Sequence, residues 1–397
     1  MKTMVIGMGG VGSVIAKSLA RTNRFEEVFC ADLRKEPIQK VLDYVKNDRF
    51  KGELLDAGSP DSVQNAAGKV DLVINATIPR FNLIIMNACL KANSHYIDLA
   101  TESMHKTPGR VDITQQYNLD KAFQEAGLLA VCAGMGIDPG CTNIFARYLF
   151  DQMDTVEEIL VRDGDASELE GYNIALSFSP DTAIDECLQP PLLYEDGKFI
   201  TGKALDPTDI EYFTFPSPIG ERKVYAVFHE EVWTIPRYLH SKGLKRCNFK
   251  YGLPDDFIDF LRAISMIGLD SPDPITVKGQ QIAPRDVVTA LLPEPADLAG
   301  KLTGSVCVGT IVKGTRNGNR VEKFMYNHVN HEEAYELLGE QGTSYQTGIP
   351  AALMADLIAE GLTEATGVLP PEALDPKPFI ERLPGYGISI VVEDFAP

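Results

Sequence analysis

Three short stretches carry residue types able to do chemistry. The first is Gly7-Met8-Gly9-Gly10-Val11-Gly12, which follows the apolar run Met4-Val5-Ile6 and precedes an apolar-faced segment through Val14, Ile15 and Leu19. Strand, G-x-G-x-x-G and helix in that order make a cradle for a pyrophosphate. Gly7 permits the tight turn, Gly9 lets the backbone approach the phosphates, and Gly12 lets helix and strand pack closely. Gly10 and Val11 complete the turn at the helix N-terminus, where unpaired N–H groups and the helix dipole favour an anion. Asp32 follows Gly12 by twenty positions, at the end of a second apolar strand, Val28-Phe29-Cys30-Ala31. A carboxylate there accepts hydrogen bonds from an adenosine ribose. It also repels a 2′-phosphate, which favours NAD over NADP, while Arg34 and Lys35 follow at once and offer charge for such a phosphate.

The second stretch is Gly134-Met135-Gly136-Ile137-Asp138-Pro139-Gly140-Cys141-Thr142-Asn143, directly after the apolar Leu128–Cys132. Three glycines and a proline surround one carboxylate. Pro139-Gly140 forces a turn that either aims Asp138 into a cleft or leaves it to cap a helix starting near Asn143. The third is His229-Glu230-Glu231, with Lys245-Arg246 after it. An imidazole beside an acid titrates near neutrality and serves as acid or base, and a guanidinium suits bidentate capture of a carboxylate. The plainer readings are a solvated charged turn and a surface cation pair. Asn75, Thr77 and Pro79 end a predicted strand, either where an open α/β sheet receives its ligand or in an ordinary strand-to-helix loop.

Elements that could position these residues alternate from residue 1 to about 135. Leu72–Ala76, Tyr96–Leu99 and Leu128–Cys132 read as strands, Asn82–Ala92 and Gln115–Ala126 as helices, and together they predict a doubly wound parallel sheet. After Gly140 the pattern changes to strand-like runs separated by Pro, Gly and Asp: 156–161, 174–178, 223–228, 305–312 and 322–326. Asp255–Ile267 reads as a helix, Asn317-Gly318 as a hairpin turn, and the glutamate-rich stretch from His331 to Glu336 as a solvated helix face. A mostly antiparallel sheet in an α+β second domain is expected. A helix from Thr347 through Ala351, Leu353, Leu357 and Ile358 must bury its apolar face, and returning to cap the first domain would satisfy it.

The whole chain narrows the function classes. With 397 residues it exceeds one ordinary core, and its formal net charge of −19 disfavours nucleic acid and anionic membranes while favouring a cationic substrate. No run of eighteen apolar residues and no leader pattern is present, so a cytoplasmic protein is expected. The seven cysteines are scattered without a C-x-x-C pair and the six histidines show no H-E-x-x-H spacing, so neither a disulfide framework nor a metal site is expected. No G-x-S-x-G elbow or P-loop is present.

The chain resembles the saccharopine dehydrogenase-like family, and within it the carboxynorspermidine (carboxyspermidine) dehydrogenase branch. Besides the glycine fingerprint, the likeness rests on Asp71–Ala76, Gly136–Gly140, Ser271–Pro274 with Ala290–Pro295, and Ser344–Ala351. It implies a Rossmann domain (1–138) interrupted by a substrate and dimerisation domain (139–342), with residues 343–397 returning to the first, usually as a homodimer. The implied reaction is NAD(P)H-dependent reduction of an imine between a diamine and aspartate semialdehyde. A saccharopine or lysine dehydrogenase is the enzymatic alternative, and an NAD(P)-sensing or scaffold protein the non-enzymatic one. By the same resemblance Asp138 is a catalytic and substrate-site residue and His229 and Glu230 match a His-acid pair of the branch. Arg246, beside Lys245, binds the substrate carboxylate, and Asn75, Pro79, Thr347 and Gly348 surround the cofactor. An imine needs no protein nucleophile, which agrees with the motifs found.

Overall fold

A computed structural model describes residues 1–101, 113–169, 171, 172, 174 and 176–395. Its first sheet contains β1 (Lys2–Ile6), β2 (Glu27–Asp32), β3 (Phe50–Leu54), β4 (Leu72–Asn75), β5 (His95–Asp98) and β6 (Leu129–Val131). A seventh strand, Gly367–Leu369, comes from the far end of the chain. All pairings are parallel, and the order is Gly367–Leu369, β6, β5, β4, β1, β2, β3. Helices cover the sheet, so a central strand such as β4 is buried at every residue and needs a continuous apolar run. Strand order reverses between β1 and β4, which opens a crevice at their C-terminal ends.

Helix α1 (Gly10–Leu19) follows β1, and the long helix Gly342–Ala359 packs on it. A Cβ on Gly348 would come within 2.7 Å of Val14, so that glycine sets how closely the two helices approach. Lys17 and Ser13 of α1 both bond Glu340 Oε1, at 2.8 and 2.6 Å, just before the long helix begins. The C-terminal segment therefore contributes a helix and a strand to the parallel layer.

The second sheet has nine strands around β7 (Thr155–Asp165). One neighbour, Ser305–Arg316, runs antiparallel and forms a hairpin with Asn319–Asn330; Asn317 and Gly318 both take positive φ, as the Asn-Gly signal predicts. The other, Arg246–Gly252, runs parallel to β7, so the sheet is mixed and mostly antiparallel. Two expected elements differ. The helix expected over 115–126 is two short ones, Ile113–Tyr117 and Asp120–Glu125. Of the strand expected over 174–178, Ala175 lies outside the described residues and the remainder is irregular. Helix His331–Leu338 buries His331, Ala334 and Leu338 and exposes its glutamates.

The loop between β1 and α1 separates two kinds of glycine. A Cβ on Gly12 would run into the Gly7 carbonyl oxygen, whereas one on Gly9 meets nothing within 4 Å. Gly12→Ala should therefore destabilise the fold by about 1–3 kcal/mol or more. Gly9→Ala should leave the melting temperature unchanged and weaken dinucleotide binding, as read by thermal denaturation and cofactor fluorescence.

Candidate active site

Gly7 stands at the C-terminal end of β1 with φ +95°, and its N–H donates to Ala31 O at 2.8 Å. A Cβ there would lie 2.7 Å from Ala76 O, so the first glycine is fixed by the neighbouring strand. Among the described residues no side chain caps α1 and no acid occupies its first turn, which leaves N–H groups directed out of the helix. Together with the open space at Gly9, this cradle fits a pyrophosphate. Asp32 ends β2 and accepts hydrogen bonds from Met8 N–H and Arg34 N–H, both at 2.8 Å. It ties the glycine loop to the second strand. The Arg34 and Lys35 side chains are exposed.

Neighbouring loops reveal which expected contacts are interior ones. Thr77 sits beside Gly7, with its methyl 3.1 Å from where a Cβ would stand, and Thr347 borders Gly136. Pro79 opens the short turn Pro79–Phe81. Asn75, expected at the cofactor, is fully buried: its amide donates to Asn82 (2.8 Å) and Tyr96 (3.1 Å) and accepts from Thr77 Oγ1 (2.6 Å). Its side chain fastens the loop from inside and has no reach toward a ligand. Gly348 packs closely on α1, where a Cβ would meet Val14 and the Val11 carbonyl.

The Asp138 loop lies at the same sheet edge. Asp98, ending β5, accepts the Gly134 N–H at 3.0 Å and the Gln116 amide at 2.6 Å. The Asp138–Pro139 peptide is cis, and Gly136 N–H donates to Pro139 O at 2.8 Å, closing a tight loop. Gly140 takes φ +140°, and a side chain there would collide with Gly136, so both angle and space require glycine. Helix Cys141–Asp151 then begins, with Asn143 Oδ1 accepting the Gly140 N–H at 2.9 Å. Asp138 is therefore not the cap; its carboxyl lies close enough to Asp163 of β7 for the two charges to act on each other.

Around that carboxyl the second domain gathers an ionisable cluster. His229 stacks on Phe249 with ring centroids 3.7 Å apart, and its Nδ1 is hydrogen bonded to Glu231. Its Nε2 faces Glu186 Oε1 at 3.8 Å, and Glu230 Oε2 lies 3.7 Å from Nδ1. Glu230 Oε1 accepts from Thr101 N–H (2.8 Å) and Oγ1 (3.0 Å), a bond between the cofactor-side sheet and this cluster. Glu231 Oε1 accepts from Thr142 Oγ1 at 2.8 Å. Asp163, His229, Glu230 and Glu231 are buried, whereas Asp138 and Glu186 keep a partial opening to solvent.

Low dielectric governs protonation here. Burial pushes Asp138 up to about 7 despite the attraction of His229, and Glu186 up to about 8. Burial alone would lower the His229 pKa, yet Glu231, Glu186 and Glu230 outweigh it and raise it well above its ordinary value. His229, Glu230 and Glu231 bring three possible ligand atoms within 4.8 Å. Nδ1 is already bonded to Glu231, however, and Glu230 is held by Thr101, so the geometry is that of an ion cluster. Its partly open acids, Asp138 and Glu186, suit an ammonium or iminium cation.

Arg246 and Lys245 stand elsewhere. Arg246 pairs with Glu158, five positions before Asp163 on β7 and hence about 16 Å along the strand. It bonds Glu195 at 3.0 Å at a half-exposed position, and Lys245 is exposed beside it. The expected role in binding a substrate carboxylate is therefore corrected: these are surface cations, because a strand separates its two ends however close its residues are in sequence. Sequence reasoning missed Asp163 and Glu186. The available signals were an Asp inside β7 and a lone Glu on the helix Pro180–Leu188.

Comparison with known proteins agrees with this architecture. Residues 3–131 match the saccharopine dehydrogenase NADP binding domain, and residues 136–388 match the saccharopine dehydrogenase C-terminal domain. The chain belongs to the saccharopine dehydrogenase family. This family member is 31% identical over 392 residues to carboxyaminopropylagmatine dehydrogenase of Synechocystis, covering 98% of this chain and 96% of that protein. It is 33% identical over 419 residues to carboxynorspermidine synthase of Vibrio alginolyticus, covering 100% and 98%. Its fold is that of apo saccharopine dehydrogenase (L-Glu forming) from Saccharomyces cerevisiae, with a TM-score of 0.72, 15% identity and full coverage of both chains. No helix among the described residues is long and apolar enough to cross a membrane.

The cluster makes stability depend on pH. Asp98, Asp138 and Glu372 are pushed to about 7 by burial, and Glu186 to about 8. An unfolded carboxyl titrates near ~4, so between there and the raised values the folded chain holds more protons than the unfolded one. Their stabilising contribution is complete at low pH and is lost as pH rises toward 8; raised His229 acts with the same sign, from its unfolded value upward. Acids held low, such as Glu27 at about 2, add no slope above pH ~5. Thermal denaturation should show a melting temperature that falls from pH ~5.5 to ~8.5. Arg246→Ala, in contrast, should shift stability by less than about 1 kcal/mol and leave substrate KM unchanged.

Proposed function

We propose that this family member reduces the imine formed between a diamine and aspartate semialdehyde, giving a carboxylated polyamine such as carboxynorspermidine or carboxyspermidine. The observation that carries the reading is the cluster of Asp138, Asp163, Glu186, Glu230 and Glu231 around His229, set beside the glycine loop's edge of the parallel sheet. Such a well stabilises a cation, and a protonated carbon–nitrogen double bond is one. Relatives named for carboxynorspermidine and carboxyaminopropylagmatine support the same product class. Saccharopine carries three carboxylates and would meet like charges here, which weighs against a saccharopine dehydrogenase. A cofactor sensor would have no use for a cluster that costs so much desolvation.

The dinucleotide, when bound, supplies hydride. The chain's own residues do the rest. The glycine loop and Thr77 set the position of the dinucleotide, and Asp138 holds the iminium nitrogen by charge. Buried Met135 and Ile137 on either side of Gly136 keep water from the loop. We take NADH as the preferred reductant because Asp32 places its charge where a 2′-phosphate would stand. We also take residues 1–138 and 343–397 as the cofactor lobe and 139–342 as the substrate lobe of a cytoplasmic homodimer. The seven free, buried cysteines support a reducing compartment, and exposed Met266, Ile267 and Leu291 offer apolar surface to a second copy.

Purified enzyme should oxidise NADH with aspartate semialdehyde and diaminopropane or putrescine; turnover only with saccharopine or lysine would reverse the assignment. Asp138→Ala should abolish turnover and retain cofactor binding. Asp32→Asn keeps an acceptor for one of its two N–H donors and should shift the NADH to NADPH preference toward NADPH by about tenfold, or ~1.4 kcal/mol, in kcat/KM.

A further inference from the structure

We infer that His229 and Glu231 form a carboxylate–imidazole dyad, that His229 delivers the proton of its Nε2 to the imine nitrogen, and that Glu231 is the positioning residue of the dyad. The inference rests on the imine-reducing reading above and adds the proton source that reading lacks.

The surroundings of the imidazole fix its direction. Its Nδ1 is bonded to Glu231 Oε2, and a carboxylate oxygen only accepts, so a hydrogen sits on Nδ1. Glu231 is fully buried, and its other oxygen accepts from Thr142 Oγ1 at 2.8 Å. The Thr142 carbonyl in turn accepts from Thr310 Oγ1 at 2.8 Å, so the carboxylate has a rigid support. One face of the ring stacks on Phe249 with 7° between the planes. Nε2 is the polar atom that remains. It lies 3.8 Å from Glu186 Oε1, beyond hydrogen-bond distance, and makes no hydrogen bond among the described residues. A substrate nitrogen placed beside the two atoms can contact both at ordinary hydrogen-bond lengths.

The same bonds place that nitrogen at the cofactor's edge of the molecule. Thr142 stands in the first turn of the helix that follows Asp138-Pro139-Gly140. Glu230, next to His229 in the chain, accepts from Thr101 beyond the end of β5. His229 is thus held between the loop that presents Asp138 and the C-terminal edge of the parallel sheet.

The charged groups acting on the ring are acids from three elements. Glu230 and Glu231 share its own segment, Glu186 comes from the helix Pro180–Leu188, and Asp138 comes from the cis-proline loop. They outweigh burial and keep the ring cationic above its ordinary range, so Nε2 carries a hydrogen as well. An imidazolium anchored through Nδ1 gives up its Nε2 proton and still donates to Glu231 afterwards. The partly open Asp138 and Glu186 are left to balance the charge that moves to the substrate.

The chemistry balances. The Nε2–H bond breaks and an N–H bond forms at the neutral imine, leaving a neutral imidazole and an iminium. Hydride from the reduced dinucleotide then forms the C–H bond at the iminium carbon, the dinucleotide is oxidised, and the secondary amine departs. Water returns one proton to Nε2.

Two variants separate the roles. His229→Asn keeps an amide able to donate to Glu231 but removes Nε2. Cofactor oxidation with aspartate semialdehyde and diaminopropane should lose about 10²-fold in kcat/KM at pH ~8.5 and much less at pH ~6, where solvent protonates the imine. Glu231→Gln keeps the size and an acceptor for Thr142 but removes the charge, and the basic limb of kcat/KM should move down by about one pH unit. A loss equal at every pH would mark a merely structural role and overturn the inference, as would a wild-type profile in either variant. Independently, ¹⁵N NMR of histidine-labelled wild-type enzyme should show one imidazole that titrates well above pH ~6.5 and loses its Nε2 proton while Nδ1 stays protonated. The absence of such a ring also overturns the dyad, and this arm needs neither turnover nor a folded variant. That titration in an enzyme inactive on every diamine would refute the substrate reading and the proton's delivery to an imine while leaving the dyad standing.

Discussion

Keeping five carboxyls and an imidazole in one poorly solvated cluster is the constraint around which this molecule is arranged. Each charge withdrawn from water costs several kcal/mol unless a partner or a proton compensates. His229 provides one compensating charge, Thr101 and Thr142 provide hydrogen bonds to Glu230 and Glu231, and the remaining excess is met by raised protonation at Asp138, Asp163 and Glu186. A cationic substrate would complete this compensation. Withdrawing these charges from water costs stability, and a cation bound among them would offset part of that cost.

Its position follows from the backbone. Asp98 holds Gly134, the cis-proline loop presents Asp138, and Glu230 accepts from Thr101 beyond β5, so the second domain's acids are bonded directly to the C-terminal edge of the parallel sheet. The glycine loop opens at that same edge, and Thr77 next to Gly7 is tied through Asn75 and Asn82 toward Asp98. Cofactor cradle and acid cluster are therefore joined by a few hydrogen bonds through one buried network. The long helix Gly342–Ala359 adds a second restraint, packing Gly348 on α1 and Thr347 against Gly136.

The fold and the glycine loop were largely legible in the chain because both depend on local rules. G-x-G-x-x-G after an apolar run fixes a turn and a helix start, and Asn317-Gly318 fixes a hairpin, with no need of distant residues. The helix over 115–126 was less legible, because Asn118 and Leu119 interrupt a pattern whose apolar spacing alone reads as continuous. At Asn75 the residue type was informative but its direction was not: the amide turns inward to Tyr96 and Asn82, which are set by other strands.

The amino-acid order by itself determined a dinucleotide-binding parallel sheet, a mostly antiparallel second sheet and the candidacy of Asp138 and His229, since each follows from periodicity, turn chemistry or neighbouring residues. Only the tertiary structure decided which acids meet. Asp163 on β7 acts on Asp138 of the cis-proline loop, and the helix Pro180–Leu188 brings Glu186 Oε1 within 3.8 Å of His229 Nε2. Arg246 is excluded because parallel pairing puts it at the opposite end of the ladder. Electrostatics acts through space over a few ångströms, and distance along a chain carries no record of that separation.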